Sequence, residues 1–421
     1  MTPSELRALL DQSLPEPRQK LLQAVGQLAA QRGLPVYIVG GFVRDLLLNG
    51  GRPPGDFDFV VEGDAPAFAR SLAHDWGGQV TVYAPFGTAT WFSPLDNGAT
   101  IDFATARTET YPQPAVLPRV TPSAIQADLQ RRDFTINTLA LRVDGEHCGE
   151  LLDLHRGQAD LAARVIRVLH PLSFQDDPTR IFRAVCYEQR LGFQLTGETL
   201  ALIPEALTAL ASLTGERVRH ELELIFREPQ ATAMLARLEE LGVLRRIHPA
   251  LHWDARRSTL AATRLPLADW KMDSRPEPEA FYLGLLLMEA APVEVARALT
   301  RLSVNREVSH AVQAAVSLTI EGARPSEVAA CLEGFSELAL AVAYVLHEEA
   351  RTLLNDYLAR WRFVQAETTG DDLIALGLTP GPQFKYILWE LRAARLDGEV
   401  TDREGEHVLI EKLIKPDKVT R

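Results

Sequence analysis

Asp56 and Asp58 stand two residues apart inside the apolar run FDFVV. Side chains alternate along a strand, so a strand here sets both carboxylates on one face. Two like charges that close repel, and a cation between them relieves the repulsion. An all-oxygen donor pair suits Mg2+ better than a softer metal. The competing reading is an exposed turn with two acids by chance, and the apolar Phe57, Phe59, Val60 and Val61 argue against it. Upstream, VYIV (36–39) reads as a strand that ends in Gly40 and Gly41 before a helical FVRDLLL. A glycine pair at a strand-to-helix turn lets backbone N–H groups approach an anion, with positive potential added by the helix start. Phosphate and metal sites would then be neighbours.

Three further groups of residues carry chemistry. Asp102, in the strand-like TIDFAT, is either a third acid for the same metals or an edge-strand surface acid; clustered carboxylates are what two-metal phosphoryl transfer uses. Arg131, Arg132 and Asp133 precede a helical-looking TINTLAL that contains Asn137. Arginine forks onto phosphate oxygens while aspartate accepts from a ribose hydroxyl, although such a triplet alone is most often a solvated helix end. In DDPTRIFR (176–183), Pro178 marks a helix start, so Asp177 and Arg180 are expected on one face. The carboxylate can accept from the exocyclic amine of cytosine or adenine while the guanidinium donates to the neighbouring ring acceptor. Such a pair discriminates by about 1–3 kcal/mol per bidentate contact. As an ordinary helix salt bridge it would contribute only a few tenths of a kcal/mol.

The elements that must position these residues follow from the apolar pattern. Leucines and valines at helical spacing predict one or two amphipathic helices over 5–33. Strand-like VYIVG, FDFVV, QVTVYA, TATWFS and TIDFAT, with a helix near 65–76, predict a mixed sheet with packed helices to about residue 144. After about residue 160 helix follows helix to the end, separated by Gly/Pro punctuation. The fold class is therefore α+β, an α/β head on a long helical body. RTETYPQPAVLPRVTPS (107–123) is too proline-rich for regular structure and reads as a flexible loop beside the site or as a plain surface connection.

With 421 residues, 46% hydrophobic and 24% charged, the chain is long enough for two to four globular domains. Cys148, Cys186 and Cys331 lack zinc or disulfide spacing, which fits a reducing compartment. No basic-then-apolar leader and no membrane-length apolar run is present, so a cytoplasmic protein without membrane partners is expected. A net charge of -12 speaks against a general nucleic-acid footprint. Residues 131–257 nonetheless bunch arginines without a single lysine, leaving room for a local basic groove suited to phosphates and base edges. His74-Asp75 is a helix-surface pair, and LHEEA (346–350) lacks the spacing of a zinc helix. GLTPGP (377–382) reads as a turn before a helix whose start could bind an RNA phosphate.

In order, GGFVRD, GDFDFVV, QRRDFTINTLAL, DLHRGQADL, DDPTRIFRA and ERVRHEL resemble the successive motifs of class II tRNA nucleotidyltransferases and their bacterial poly(A) polymerase relatives, in the polymerase-beta superfamily. The resemblance runs from about residue 35 to 230, and DLIALGLTPGPQFKYILWELRAARLDGEV is similar to that family's tail. It implies a head (1–143), a neck with a nucleotide-reading helix (144–229), a helical body (230–320) and a tRNA-binding tail (321–421). It also implies template-independent addition of CCA, or part of it, to tRNA 3′ ends from CTP and ATP, with Mg2+ as cofactor. By the same resemblance Asp56 and Asp58 hold the metal; Asp102 is a further catalytic candidate by its place on TIDFAT alone. Gly40, Gly41 and Arg44 approach the triphosphate, and Arg132, Asp133 and Asn137 hold phosphate and sugar. Asp177 and Arg180, with Arg183 on the same motif, read the base. Asp153 and Gly157 belong to a head–neck hinge, and Arg217 and Glu221 support the reading helix. Two positions depart from the family pattern: Asp176 where a glutamate is frequent, and Cys186 where a second arginine is common. Alternatives are A-only addition, poly(A) synthesis, CC-only addition, small-molecule nucleotidyl transfer and a non-catalytic RNA-binding protein. The long 107–123 segment argues against CC-only addition, which in this family goes with a shortened loop. Oligomeric state is not legible.

Overall fold

The structure, a computed structural model, describes residues 1–49, 56–96, 99–110, 118–272, 276–322 and 324–414. The chain forms two compact units, residues 1–217 with 240–246, and residues 218–239 with 247–421.

The first unit is built on strands β1 (Val36–Val39), β2 (Asp58–Val61), β3 (Gln79–Tyr83), β4 (Thr88–Phe92) and β5 (Thr100–Thr105), a ribbon of β6 (Arg107–Thr110) and β7 (Arg119–Pro122), and then β8 (Ala140–Arg142) and β9 (Leu151–Leu152). Seven strands make a mixed sheet in the order β3-β4-β5-β2-β1-β8-β9, in which β2 and β5 run parallel. The mixed sheet with its helices is the fold expected from the sequence, and every strand read from the first head residues is present. Helices α1 (Pro3–Ser13) and α2 (Glu16–Arg32) precede the sheet, α3 (Gly41–Asn49) leaves it at the glycine pair, and α4 (Ala65–Trp76) follows β2. Alternation divides the two faces. Phe57, Phe59 and Phe103 are buried and form a continuous run of ring contacts with Phe42 of α3 and Phe68 of α4. Burial of each such ring contributes about 2–3 kcal/mol, which fixes the register that turns Asp56, Asp58 and Asp102 outward.

Three local expectations need correction. Only Thr135–Asn137 of TINTLAL is helical, as a single 3-10 turn, and the chain then enters β8. Its continuous apolar run suits a strand buried between β1 and β9 as well as it suits a helix. The proline-rich segment is regular at both ends, pairing Arg107 with Pro122 through Thr110 with Arg119; its tip, 111–117, lies outside the described residues. The helix expected to read the nucleotide begins at Arg180, one turn past a short helix Ser173–Asp176, so Asp177 is extended and does not share a helix face with Arg180. Proline at 178 disfavours helical backbone at the residue before it.

Further along the same unit come the helices α5 (Ile125–Gln130), α6 (Gly157–Ala163), α7 (Ser173–Asp176) and α8 (Arg180–Leu191). Asp153 anchors α6 by accepting from the N–H groups of Gly157 at 2.6 Å and Gln158 at 3.0 Å. A side chain at Gly157 would stand 2.6 Å from the Thr135 carbonyl oxygen, so the close approach requires glycine.

The second unit is helical. Pro278–Leu287, Arg306–Val316 and Glu337–Leu346 pack on one another, and Gly284 admits Val342 where a Cβ would come within 2.8 Å. The last two helices, Pro382–Leu396 and Arg403–Ile414, close over Leu373, Ile387, Leu391 and Ile410. GLTPGP is the turn ahead of Pro382–Leu396, as its composition suggests. Among the described residues no single helix is long and apolar enough to cross a membrane.

Glu406 is fully buried in this region. It accepts from the N–H groups of Glu367 and Thr368 and the Thr368 hydroxyl, at 2.9, 2.7 and 2.6 Å, and pairs with Arg395. Burial pushes its carboxyl up, but these donors outweigh burial and hold it below the ordinary carboxylate range. A depressed folded-state value means the stabilisation is present above the unfolded value and is lost as pH falls through the folded one. Glu406→Gln is expected to destabilise this unit by about 3 kcal/mol at pH 7, with a smaller gap to wild type at about pH 3, by urea denaturation at both values.

Candidate active site

The register of β2 and β5 sets Asp58 directly beside Asp102. Asp102 accepts from the Thr90 hydroxyl at 2.5 Å, and it lies on an interior strand, which removes the edge-strand reading. Asp58 is open to solvent, yet the protein packed around it raises its carboxyl above the usual range; Asp102 and Asp56 push the same way, against Arg132 and Arg183. Asp56, just ahead of the strand, lies 3.4 Å from Arg18 of α2. These donors are hard oxygens carrying surplus negative charge, and their chemistry fits a divalent cation. As placed, no three ligating side chains among the described residues converge on one point.

Beside the acids lies the glycine turn. Gly40 has φ +69°, and a Cβ there would stand 3.2 Å from Arg132 Nη1, so the turn and the arginine share one wall. Arg132 Nη2 donates to Asp128 at 3.1 Å, while its buried Nε has no acceptor among the described residues. Asp128, with no exposed surface, also accepts from both forks of Arg131 at 3.1 and 2.7 Å and from the Arg107 N–H at 3.3 Å. Arg131 donates in addition to Glu109 of the ribbon at 2.8 Å. The sequence reading missed Asp128 and Glu109. The signal for Asp128 was its place three and four residues before the two arginines on one helical turn.

Asp133 sits behind this wall, accepting from the Phe134 N–H at 2.8 Å and Asn137 Nδ2 at 3.0 Å, with Arg183 Nη2 at 2.7 Å. Burial acts to raise its carboxyl, and Arg183, Asn137, the Phe134 N–H and Arg180 together hold it low instead. Arg44 is buried, donating to both oxygens of Asp45 and to Asn137 Oδ1 at 2.9 Å and lying 5.0 Å over the Tyr187 ring. The glycine turn, Asn137, Asp133 and the helix that starts at Arg180 are thus one bonded array.

Arg180 is 5% exposed; Nη1 donates to the Ser173 hydroxyl at 2.7 Å and Nη2 to the Arg131 carbonyl at 2.8 Å. Asp177 accepts from Thr179 and, at 3.0 Å, from Arg217. Asp177 and Arg180 are therefore placed by separate partners and do not pair. Glu221 lies one turn beyond Arg217 on helix Gly215–Phe226.

Residues 36–167 match the family model of the poly A polymerase head domain, and 192–254 that of the probable RNA and SrmB- binding site of polymerase A. An A-adding tRNA nucleotidyltransferase of Halalkalibacterium halodurans is 30% identical over 94% of this chain and 92% of its own length. The chain belongs to the tRNA nucleotidyltransferase and poly(A) polymerase family. An A-adding tRNA nucleotidyltransferase of Geobacter sulfurreducens is 37% identical over 96% of this chain, which spans about half, 48%, of that relative's length. A CC-adding tRNA nucleotidyltransferase of Deinococcus radiodurans is 31% identical, covering 89% and 88%. Among solved structures of this family, a CCA-adding enzyme in apo form superposes with a TM-score of 0.83 at 30% identity, covering 97% and 98%. A Thermotoga maritima CCA-adding enzyme complexed with tRNA does so at 0.78 and 29%, with the same coverage, and CCA-adding enzyme structures with ATP and with CTP each do so at 0.80, with 28% and 29% identity.

Proposed function

We propose that this chain adds nucleotides to the 3′ end of tRNA from CTP and ATP without a nucleic-acid template, completing CCA or its terminal A. The observation that carries the reading is Asp58 in register with Asp102, beside the Gly40 turn and Arg132. In the reaction the tRNA 3′-hydroxyl attacks the nucleotide α-phosphorus and pyrophosphate leaves. Asp56 and Asp58 would hold Mg2+, which supplies charge neutralisation at the attacking and leaving oxygens. Arg132, whose Nε has no acceptor among the described residues, meets the phosphates, and the Gly40 and Gly41 turn allows their close approach. Arg44 acts at one remove, fixing Asn137 and through it Asp133, which is kept ionised to accept from the sugar hydroxyl. Asp177 and Arg180 read the base edge, and Arg217 orients Asp177. Positioning and electrostatics account for the catalysis, since such transfer asks little covalent work of protein groups.

The head (1–143) carries chemistry, the neck (144–229) reads the nucleotide, and beyond the helical body (230–320) the tail (321–421) binds tRNA. Full CCA addition and A-only addition remain two readings, and the A-adding names of the two relatives above favour the second. The test is incubation with tRNAs ending before CCA, after C and after CC, each with CTP or ATP alone. Labelling of only the CC-ended tRNA with ATP is expected for A-only addition; CTP incorporation would replace it with the fuller activity. No incorporation into any of the three, with Mg2+ present, overturns the proposal.

A further inference from the structure

Arg18 lies outside the matched head segment, on α2, yet its side chain reaches the acid doublet. Its Nη2 is 3.4 Å from Asp56 Oδ1, its Nε 3.2 Å from Asp96 Oδ2, and its guanidinium carbon 5.6 Å from the centroid of the buried Phe57 ring. The two ends of the Asp56 contact differ. The Arg18 side chain is 21% exposed and clamped by Asp96 and Phe57, while the Asp56 side chain is 89% exposed and can turn.

We propose that Arg18 is a built-in counter-ion for Asp56, one that a divalent cation gathered by Asp56 and Asp58 must displace. The inference rests on reading those two aspartates as cation ligands. Asp56, Asp58 and Asp102 put three like charges at one end of the sheet, and a fixed guanidinium offsets the outermost of them. The Asp56 oxygen held by Arg18 is withdrawn from any ion shared with Asp58, so pairing with Arg18 competes with cation binding. An exposed pair of this kind is weak enough for a divalent ion to win, and strong enough to change the ion's apparent affinity by about two- to five-fold. The N-terminal helix thereby sets the cation concentration at which the acids are drawn together.

Binding of Mn2+ to the full chain, followed by the electron paramagnetic resonance of the free ion, tests this. R18Q is expected to bind Mn2+ about two- to five-fold tighter than wild type. In a D56N background the same change should have no effect, because the competitor's target is gone. Equal or weaker binding by R18Q overturns the proposal, as does equal tightening with and without Asp56, which would show only a field effect of the lost charge. Should R18Q fold poorly by circular dichroism, R18K serves instead. One nitrogen cannot span both Asp56 and Asp96, so tighter binding than wild type is expected and unchanged binding counts against displacement. D56N and D58N each report on the underlying reading: if neither weakens Mn2+ binding, the aspartates are not the ligands and the inference falls with that reading.

Discussion

Asp58→Asn is expected to lower nucleotide addition at least about a thousand-fold while leaving tRNA affinity within a few-fold and the melting temperature no lower than wild type. The rate loss follows from the proposed role of Asp58 as a cation ligand, beside its register partner Asp102. Losing several kcal/mol of charge stabilisation at the reacting phosphate corresponds to three or more decades in rate. The stability expectation has the opposite sign for a reason visible at the same residue. Burial among protein atoms, with Asp102 and Asp56 adding to it, disfavours the charged form of Asp58, so the folded state carries this carboxylate at a cost. A neutral isostere removes the repulsion and keeps the shape. Single-turnover addition, filter binding of tRNA and a thermal melt measured on one preparation separate the possibilities. Unchanged turnover would remove Asp58 from the chemistry, and a large fall in melting temperature would make its role structural.

The head was legible because its signals are short-range. Alternating Phe57, Asp58 and Phe59 can lie only one way on a half-buried strand, and Gly40 announces a left-handed turn before a helix. What sequence spacing cannot supply is which partner a long side chain chooses. Arg44 stays beside Gly41 of the glycine-turn motif, but its spacing does not show that its guanidinium is held by Asp45 and Asn137 and lies over Tyr187. Asp177 and Arg180 read as a helical i, i+3 pair, but Pro178 delays the helix and each residue finds a partner far away in sequence, Arg217 for one and the Arg131 carbonyl for the other, which the nearby Ser173 hydroxyl supports. The hub at Asp128 and the reach of Arg18 from an N-terminal helix to Asp56 are of the same kind. Element type follows from local pattern, whereas long-range ionic partners follow from the packing of elements that the pattern does not order in space.

Arg180→Met is expected to reduce the preference for CTP and ATP over UTP and GTP by about 10–100-fold, a larger effect than on the rate with the preferred nucleotide. The size comes from the loss of one bidentate contact to a base edge, about 1–3 kcal/mol. The residue is buried, and its guanidinium is held by Ser173 and the Arg131 carbonyl before any nucleotide arrives, so its orientation costs little at the moment of recognition. That hold also ties it to the ribbon, because Arg131 is bound to Asp128 and Glu109. A purely structural arginine would behave differently. Its removal would leave the Ser173 hydroxyl and the Arg131 carbonyl without a donor and slow the use of all four nucleotides alike. Ser173→Ala distinguishes the two again: it loosens the guanidinium without deleting it, so selectivity should fall by a smaller factor, about 2–5-fold, if aim is what matters. Competition assays with paired nucleotides on one tRNA give these ratios directly, and selectivity that survives Arg180→Met would assign base reading to Asp177 alone or to residues elsewhere in the neck.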